Sequence, residues 1–257
     1  MCDNFYKFIT KLPRNVNNIA ARGELGRPRA HCKRYLRVIK YWLKLISVSP
    51  EPPHFVKLAY QLQRSMDEMG HEVWASDVRT LLCVLGFAEE WETQRVVQPK
   101  FFLEECKRRI LNIENINFLK EISKAPRLRF YYHNKFKLET GDYWNCPLPF
   151  CFKIEFCRFL CSGHGLMIEM GSRLDIFRDD RFCLLCDLNE VEDEVHFLLK
   201  CPKLQNLREK YISPEYCIRP GLNAAVSLLI NPEKRENLLK FCFYAAKSRD
   251  KQLNVTV

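Results

Sequence analysis

The sequence predicts a mainly α protein, a multi-helix domain, and three observations carry that reading. Apolar residues recur at helical spacing in four long stretches, 31–46, 55–66, 100–122 and 232–250. Only nine glycines occur in 257 residues, too few for a loop-rich β protein. The third observation is an array, Cys183-x2-Cys186-x9-His196-x4-Cys201, which holds the only C-x-x-C among 13 cysteines. Two cysteines at that spacing fit one tight turn, His196 falls in a short helix, and Cys201 closes that helix just before Pro202. Three thiolates and one imidazole make a closed tetrahedral Zn2+ site. The prediction therefore includes a small zinc-stabilised turn-helix element near the C-terminus. The protein fills every coordination position, so the ion would be structural.

Taken in order, residues 5–29 are broken by Pro13, Gly23, Gly26 and Pro28. Residues 31–46 form a helix with Tyr35/Leu36, Val38/Ile39, Trp42/Leu43 and Leu45/Ile46 on its core side. Lys33, Arg37, Lys40 and Lys44 make a basic stripe on the opposite side, flanked by Arg22, Arg27, Arg29 and Arg34. Phosphate contact and an ordinary solvated face both explain such a stripe. After Pro50-Glu51-Pro52-Pro53, a helix over 54–69 is expected to turn Phe55, Leu58, Ala59, Leu62 and Met66 inward. Another starts at Trp74, is capped by Ser76 or Asp77, lines one face with Val78, Leu81, Leu82 and Leu85, and ends at Gly86. Trp74 and Trp91 read as core anchors.

Residues 100–122 predict a long helix with Phe102, Leu103, Cys106, Ile110, Ile113 and Ile116 apolar. Residues 123–138 follow, with Lys124, Arg127, Arg129, Lys135 and Lys137, no acid, and Phe130, Tyr131, Tyr132 and Phe136 between them. Basic residues interleaved with aromatics suit single-stranded nucleic acid; an amphipathic helix with buried rings gives the same pattern. A helix from 149 ends at Gly163, where Cys157, Cys161 and His164 supply three ligands of a second site or, for the cysteines, small apolar residues on one face. Beyond the metal array come helices over 203–211, 221–232 and 232–250, the last with Leu238, Leu239, Phe241, Cys242 and Ala245 inward, then a disordered tail. The expected organisation is a basic N-terminal segment (1–49), a helical domain (50–160), the zinc-binding segment (161–212) and C-terminal helices (213–257).

Lys and Arg number 41 against 31 Asp and Glu, a net charge of +10, which favours a polyanionic partner. Nearly all of the excess lies in residues 1–50, where 11 basic residues face only Asp3 and Glu24. No apolar run approaches the length of a membrane span, and MCDNFYKFITKLPRN has no signal-peptide core. Thirteen cysteines without a secretion signal read as reduced thiols and metal ligands, in nucleus or cytosol. The acids Asp187, Glu190, Glu192, Asp193 and Glu194 crowd the metal loop, so phosphate is expected to avoid it.

Several of these stretches resemble the region after the polymerase in non-LTR (LINE-type) retrotransposon reverse transcriptases. The zinc-binding tail of that family is matched by Cys183, Cys186, Val191 to Glu194, His196 to Leu199, Cys201, Pro202 and Arg208. Upstream, Glu24-Leu25-Gly26-Arg27-Pro28 and Lys40-Tyr41-Trp42 match, as do Trp74, Val78, Arg79, Leu81, Leu82, Gly86, Phe87 and Trp91. Tyr132, Phe136, Lys137, His164, Leu166, Ile168, Glu169 and Gly171 continue the likeness, which spans about residues 5–247. The resemblance implies a region that helps hold RNA template or DNA target beside a polymerase. No Tyr-x-Asp-Asp-type run or Gly-rich phosphate loop is found, and Asp179-Asp180 is the only Asp-Asp pair. The expected function is a non-catalytic, zinc-stabilised nucleic-acid-binding module. The alternatives are a scaffold docking on the polymerase portion, or a degenerate element copy without function.

Overall fold

A computed structural model describes residues 2–49 and 54–253. Among them the regular structure is helical, without a strand; only two isolated antiparallel bridges occur, Leu25 with Thr140 and Phe182 with Val191. No described helix is long and apolar enough to cross a membrane. The chain packs as two compact units, residues 1–27 with 118–257, and residues 28–117. These boundaries differ from the four segments read along the sequence, because packing joins the N-terminal residues to the C-terminal half.

The first unit begins with α1 (Cys2–Ile9) and α2 (Asn18–Glu24). The Asn17 side chain accepts from the Ile19 N–H at 2.9 Å and opens α2. Glu24, at the end of α2, is 1% exposed and fully engaged. It accepts from the Tyr131 hydroxyl at 2.8 Å and the Tyr143 hydroxyl at 2.6 Å, and Lys135 Nζ lies 3.2 Å away. Burial pushes both tyrosines well above their ordinary pKa, so they stay neutral donors. Gly26 follows with φ +58, and a Cβ there would run into the Thr140 backbone. Gly26→Ala is therefore expected to destabilise the unit by about 1–3 kcal/mol in urea unfolding. A change within about 0.5 kcal/mol would refute the close approach.

The second unit contains α3 (Ala30–Ser47), α4 (Phe55–Glu68), α5 (Trp74–Val84), α6 (Ala88–Thr93) and most of α7 (Pro99–Lys124). Its core holds Ile39, Trp42, Leu82, Trp91, Phe102 and Cys106. Trp91 is a core anchor as expected, whereas Trp74 is only half-buried. The Trp42 indole donates to the Tyr60 hydroxyl at 2.9 Å, which donates to Gln94 at 2.6 Å. Gly86, at φ +77, ends the α5 segment in a conformation side chains rarely adopt.

The face of α4 is opposite to the expected one. Tyr60 and Asp67 are its buried residues, while Phe55, Leu58 and Leu62 are 88%, 50% and 62% exposed. Polar partners choose this face. Tyr60 joins the Trp42 and Gln94 chain, and Asp67 takes a bidentate pair from Arg79 at 2.8 and 2.9 Å. In α7 the expected run extends to Lys124, but Ile113 and Ile116 stand exposed.

The remaining helices complete the first unit: α8 (Arg129–Asn134), α9 (Phe150–Leu160), α10 (Met167–Arg173), α11 (Gln205–Tyr211), α12 (Leu222–Ile230) and α13 (Arg235–Gln252). All five residues expected to face inward from α13 are buried. That helix packs along α9 and α11. Phe197 carries the metal-array segment into this core, 5.6 Å from the Phe159 ring and 5.8 Å from that of Phe241. Of the tail after Asp250, expected to be disordered, Lys251 and Gln252 continue α13, and residues 254–257 lie outside the described residues.

Candidate metal centre

Backbone pairing shapes the turn that carries the first two cysteines. Cys183 N–H donates to Glu190 O and Glu192 N–H to Arg181 O, each at 2.9 Å, on either side of the Phe182–Val191 bridge. Asn189, at φ 52, supplies the left-handed residue the turn needs. The chain then enters one π-helical turn, His196–Lys200. Asp193 opens it by accepting from the His196 N–H at 2.8 Å. Cys201 N–H closes it on His196 O at 2.8 Å, an i to i+5 bond. Residues five apart diverge on an α-helix; the wider turn brings Cys201 back to the side of His196. The predicted short helix is thus a π turn, and its width is what makes the x4 spacing work.

The four donor atoms of Cys183, Cys186, His196 and Cys201 all lie within 4.8 Å of one another. Cys183 Sγ is 3.9 Å from Cys201 Sγ, and Cys186 Sγ is 3.4 Å from His196 Nε2. All four residues are buried, at 7%, 7%, 1% and 1% exposure. The cluster could hold a metal ion. His196 Nδ1 lies 3.4 Å from a Glu190 carboxylate oxygen, which also accepts from Lys200 Nζ at 3.0 Å. A proton on Nδ1 leaves the Nε2 lone pair for the sulfurs' side of the ring. Lys200, and after it His196, hold the Glu190 carboxyl below its usual range despite partial burial.

Without a cation these groups share protons. The Cys183 thiol bonds to Cys201; that bond, and after it burial, pushes Cys183 up to about 12, and the same bond pulls Cys201 below the ordinary thiol value despite its burial. Burial raises Cys186 as well. Burial alone would lower His196, but Cys183 and Glu190 together raise it. Divalent charge at the centre of the cluster would resolve this sharing by displacing the protons.

The structural roles of several residues around the cluster were not legible in the sequence. Arg208, 2% exposed, donates to Leu198 O at 3.0 Å and Cys201 O at 2.8 Å, and so pins the middle and the C-terminal end of the ligand turn. Glu192, expected as part of a repulsive acidic loop, is 1% exposed and paired with Arg249 of α13 at 2.6 and 2.7 Å. It also accepts from Met167 N–H at 2.8 Å. His164, which the sequence offered only as a third ligand beside Cys157 and Cys161, is buried with Nε2 3.4 Å from Glu194. Cys157, Cys161 and His164 do not form a ligand group among the described residues; both cysteines belong to the core.

The basic residues divide by burial. On α3, Lys33, Arg34, Arg37, Lys40 and Lys44 are all exposed, as are Arg27 and, in the other basic stretch, Lys124, Arg129 and Lys137. Arg29 is half-buried, with its N–H on Glu114 at 3.1 Å. Three expected phosphate contacts are instead spent inside the first unit. Arg22 is 7% exposed and 3.6 Å from Glu121, and Lys135 is buried against Glu24. Arg127 pairs with Glu169 at 2.6 Å and also donates to Asn15 O. Of the interleaved rings, Phe130 and Tyr131 are core, while Tyr132 and Phe136 are exposed. The stretch is a short 3-10 turn and a six-residue helix, so its charges split between core ion pairs and surface.

No family model, no curated protein and no solved structure matches this chain.

Proposed function

We propose that the chain is a non-catalytic nucleic-acid-binding module whose C-terminal part is held by a structural zinc ion. The donor set supports zinc: a tetrahedral ion with Zn–S about 2.3 Å and Zn–N about 2.0–2.1 Å has S···S edges of ~3.8 Å and S···N edges of ~3.6 Å. The distances of 3.9 and 3.4 Å match these within a few tenths of an ångström. Thiolate and imidazole together select zinc over harder cations. Zinc would fix the turn and withdraw its own charge from solvent; with every position filled by protein, it would activate no water.

The observation that carries the nucleic-acid reading is the α3 stripe. Lys33, Arg37, Lys40 and Lys44 stay exposed along about three turns while the opposite face of the same helix is core. The likeness to the post-polymerase region of LINE-type reverse transcriptases supports RNA or DNA as the polyanion, in the nucleus or cytoplasm, with the polymerase portion as a neighbour. Fluorescence anisotropy with single-stranded RNA and duplex DNA across a salt series tests this. Affinity should fall steeply with salt, and reversal of the four stripe charges to Glu should flatten the slope by about four phosphates. Unchanged affinity in that variant would place the surface elsewhere.

A second reading has its own observation. Phe55, Leu58 and Leu62 form an exposed apolar stripe on α4, which suits docking on another polypeptide. Failure to bind either nucleic acid at low salt, with the helical content intact, would favour it.

A further inference from the structure

We infer that the second unit carries a metal site of its own, built from His31, Cys32 and Glu114, with one coordination position open to solvent. His31 and Cys32 stand in the first turn of α3, and Glu114 reaches them from α7. One ligand atom from each residue lies within 4.8 Å of the others. His31 Nε2 is 3.7 Å from a Glu114 carboxylate oxygen. A tetrahedral ion with nitrogen and oxygen ligands at about 2.0–2.2 Å needs that edge near ~3.3 Å, so a small inward movement of the His31 ring completes it.

Burial argues for more than a surface ion pair. Cys32 is 2% exposed and the Glu114 side chain 2%, whereas the His31 side chain is 34% exposed. A carboxylate taken so far from water requires strong compensation. The Arg29 N–H, at 3.1 Å from the other Glu114 oxygen, is one of its partners and orients the carboxylate toward His31. The same carboxylate caps the start of α3, which is the ordinary structural role for such a group. Capping uses one oxygen, and the second is the one that faces the imidazole. One sulfur, one nitrogen and one oxygen form a borderline donor set, suited to Zn2+ or Co2+ rather than to Ca2+ or Mg2+. The half-exposed imidazole edge gives the ion a way in, and it leaves the fourth position to water or a small exogenous ligand.

The full chain, stripped of metal and titrated with Co2+, tests the site. Two equivalents should bind, one with the intense sulfur-to-metal absorption of three thiolates and one with the weaker absorption of a single thiolate. Glu114→Gln keeps an oxygen able to accept from Arg29 and so preserves the cap. It should lower the stoichiometry to one equivalent while the helical circular dichroism is unchanged. Cys32→Ser should remove the same equivalent and its single-thiolate band. Imidazole added to the wild-type Co2+ form should shift the second equivalent's visible bands and leave the first untouched. A single equivalent in the wild-type chain that carries only the three-thiolate absorption, or two equivalents in both variants, would overturn the site; a second band insensitive to imidazole would overturn the open position. None of these results depends on whether the protein binds nucleic acid.

Discussion

In excess chelator, or as Cys183→Ser, the protein should melt well below its zinc-loaded form, and the segment around residues 178–212 should open first. The ligands are buried among Phe197, Leu198, Leu199 and Leu204, all of which are nearly inaccessible. Without a cation, the cluster brings three thiol groups and an imidazole into a core that offers them chiefly one another. Structural zinc in zinc-finger peptides is worth about 10–16 kcal/mol of apparent affinity at neutral pH. The visible effect on stability depends on free metal: at a thousandfold excess over Kd it is about 4 kcal/mol. Circular dichroism melts with zinc and with chelator measure it, and hydrogen exchange locates it. A melting curve indifferent to chelator would remove the structural-ion reading. The binding itself should weaken as pH falls. Cys183 and Cys186 are both raised, so each holds a proton near neutrality that zinc must displace. At least two protons released per ion make the apparent affinity fall at least ~100-fold per pH unit. The fall should steepen further once His196, also raised, takes up its proton in the apo form.

The parts of this structure that were legible in the sequence are those where one local rule suffices. The five inward residues of α13 and the exposed stripe of α3 follow from a 3.6-residue period alone. The metal array was legible because ligand chemistry fixes both residue type and spacing. What failed were assignments that depend on distant polar partners. The α4 period offered Phe55, Leu58 and Leu62 as its inward row, but Tyr60 and Asp67 had partners on α3, α5 and the segment after α6, and those partners set the rotation of the helix. Arg22 and Lys135 were read as phosphate contacts because each sits in a basic stretch, whereas an acid close in space but remote or unremarkable in sequence takes each one. Net charge counts such residues; it does not say which of them remain on the surface.

The same blindness hid the contact with the largest expected effect outside the metal itself. Arg249→Met should destabilise the zinc-loaded protein by about 3–5 kcal/mol, the usual consequence of breaking a buried pair from one side. Arg249 and Glu192 have side chains only 6% and 2% exposed and lie 57 residues apart in sequence. Both guanidinium bonds reach the one carboxylate, at 2.6 and 2.7 Å. Removing the arginine would leave Glu192 with the Met167 N–H and a position 3.9 Å from Cys183 Sγ, where a bare carboxylate faces a thiolate. Glu192→Met should also destabilise, since the buried guanidinium would then be left with Asp250, at 4.0 Å, as its nearest charge. Replacing both by Met should recover most of the loss, because well-packed apolar groups of similar volume are often neutral in place of a buried pair. Urea unfolding of the four proteins at saturating zinc closes this double-mutant cycle. A coupling energy of at least about 1.5 kcal/mol would show that the last helix is clamped to the metal loop through this pair. A coupling near zero, with small losses in each single variant, would mean that the apolar packing of α13 on α9 holds the C-terminal helix by itself. With the coupling present, the loop acids divide into distinct tasks: Glu192 ties down the helix, Asp193 opens the ligand turn, and Glu190 orients the imidazole.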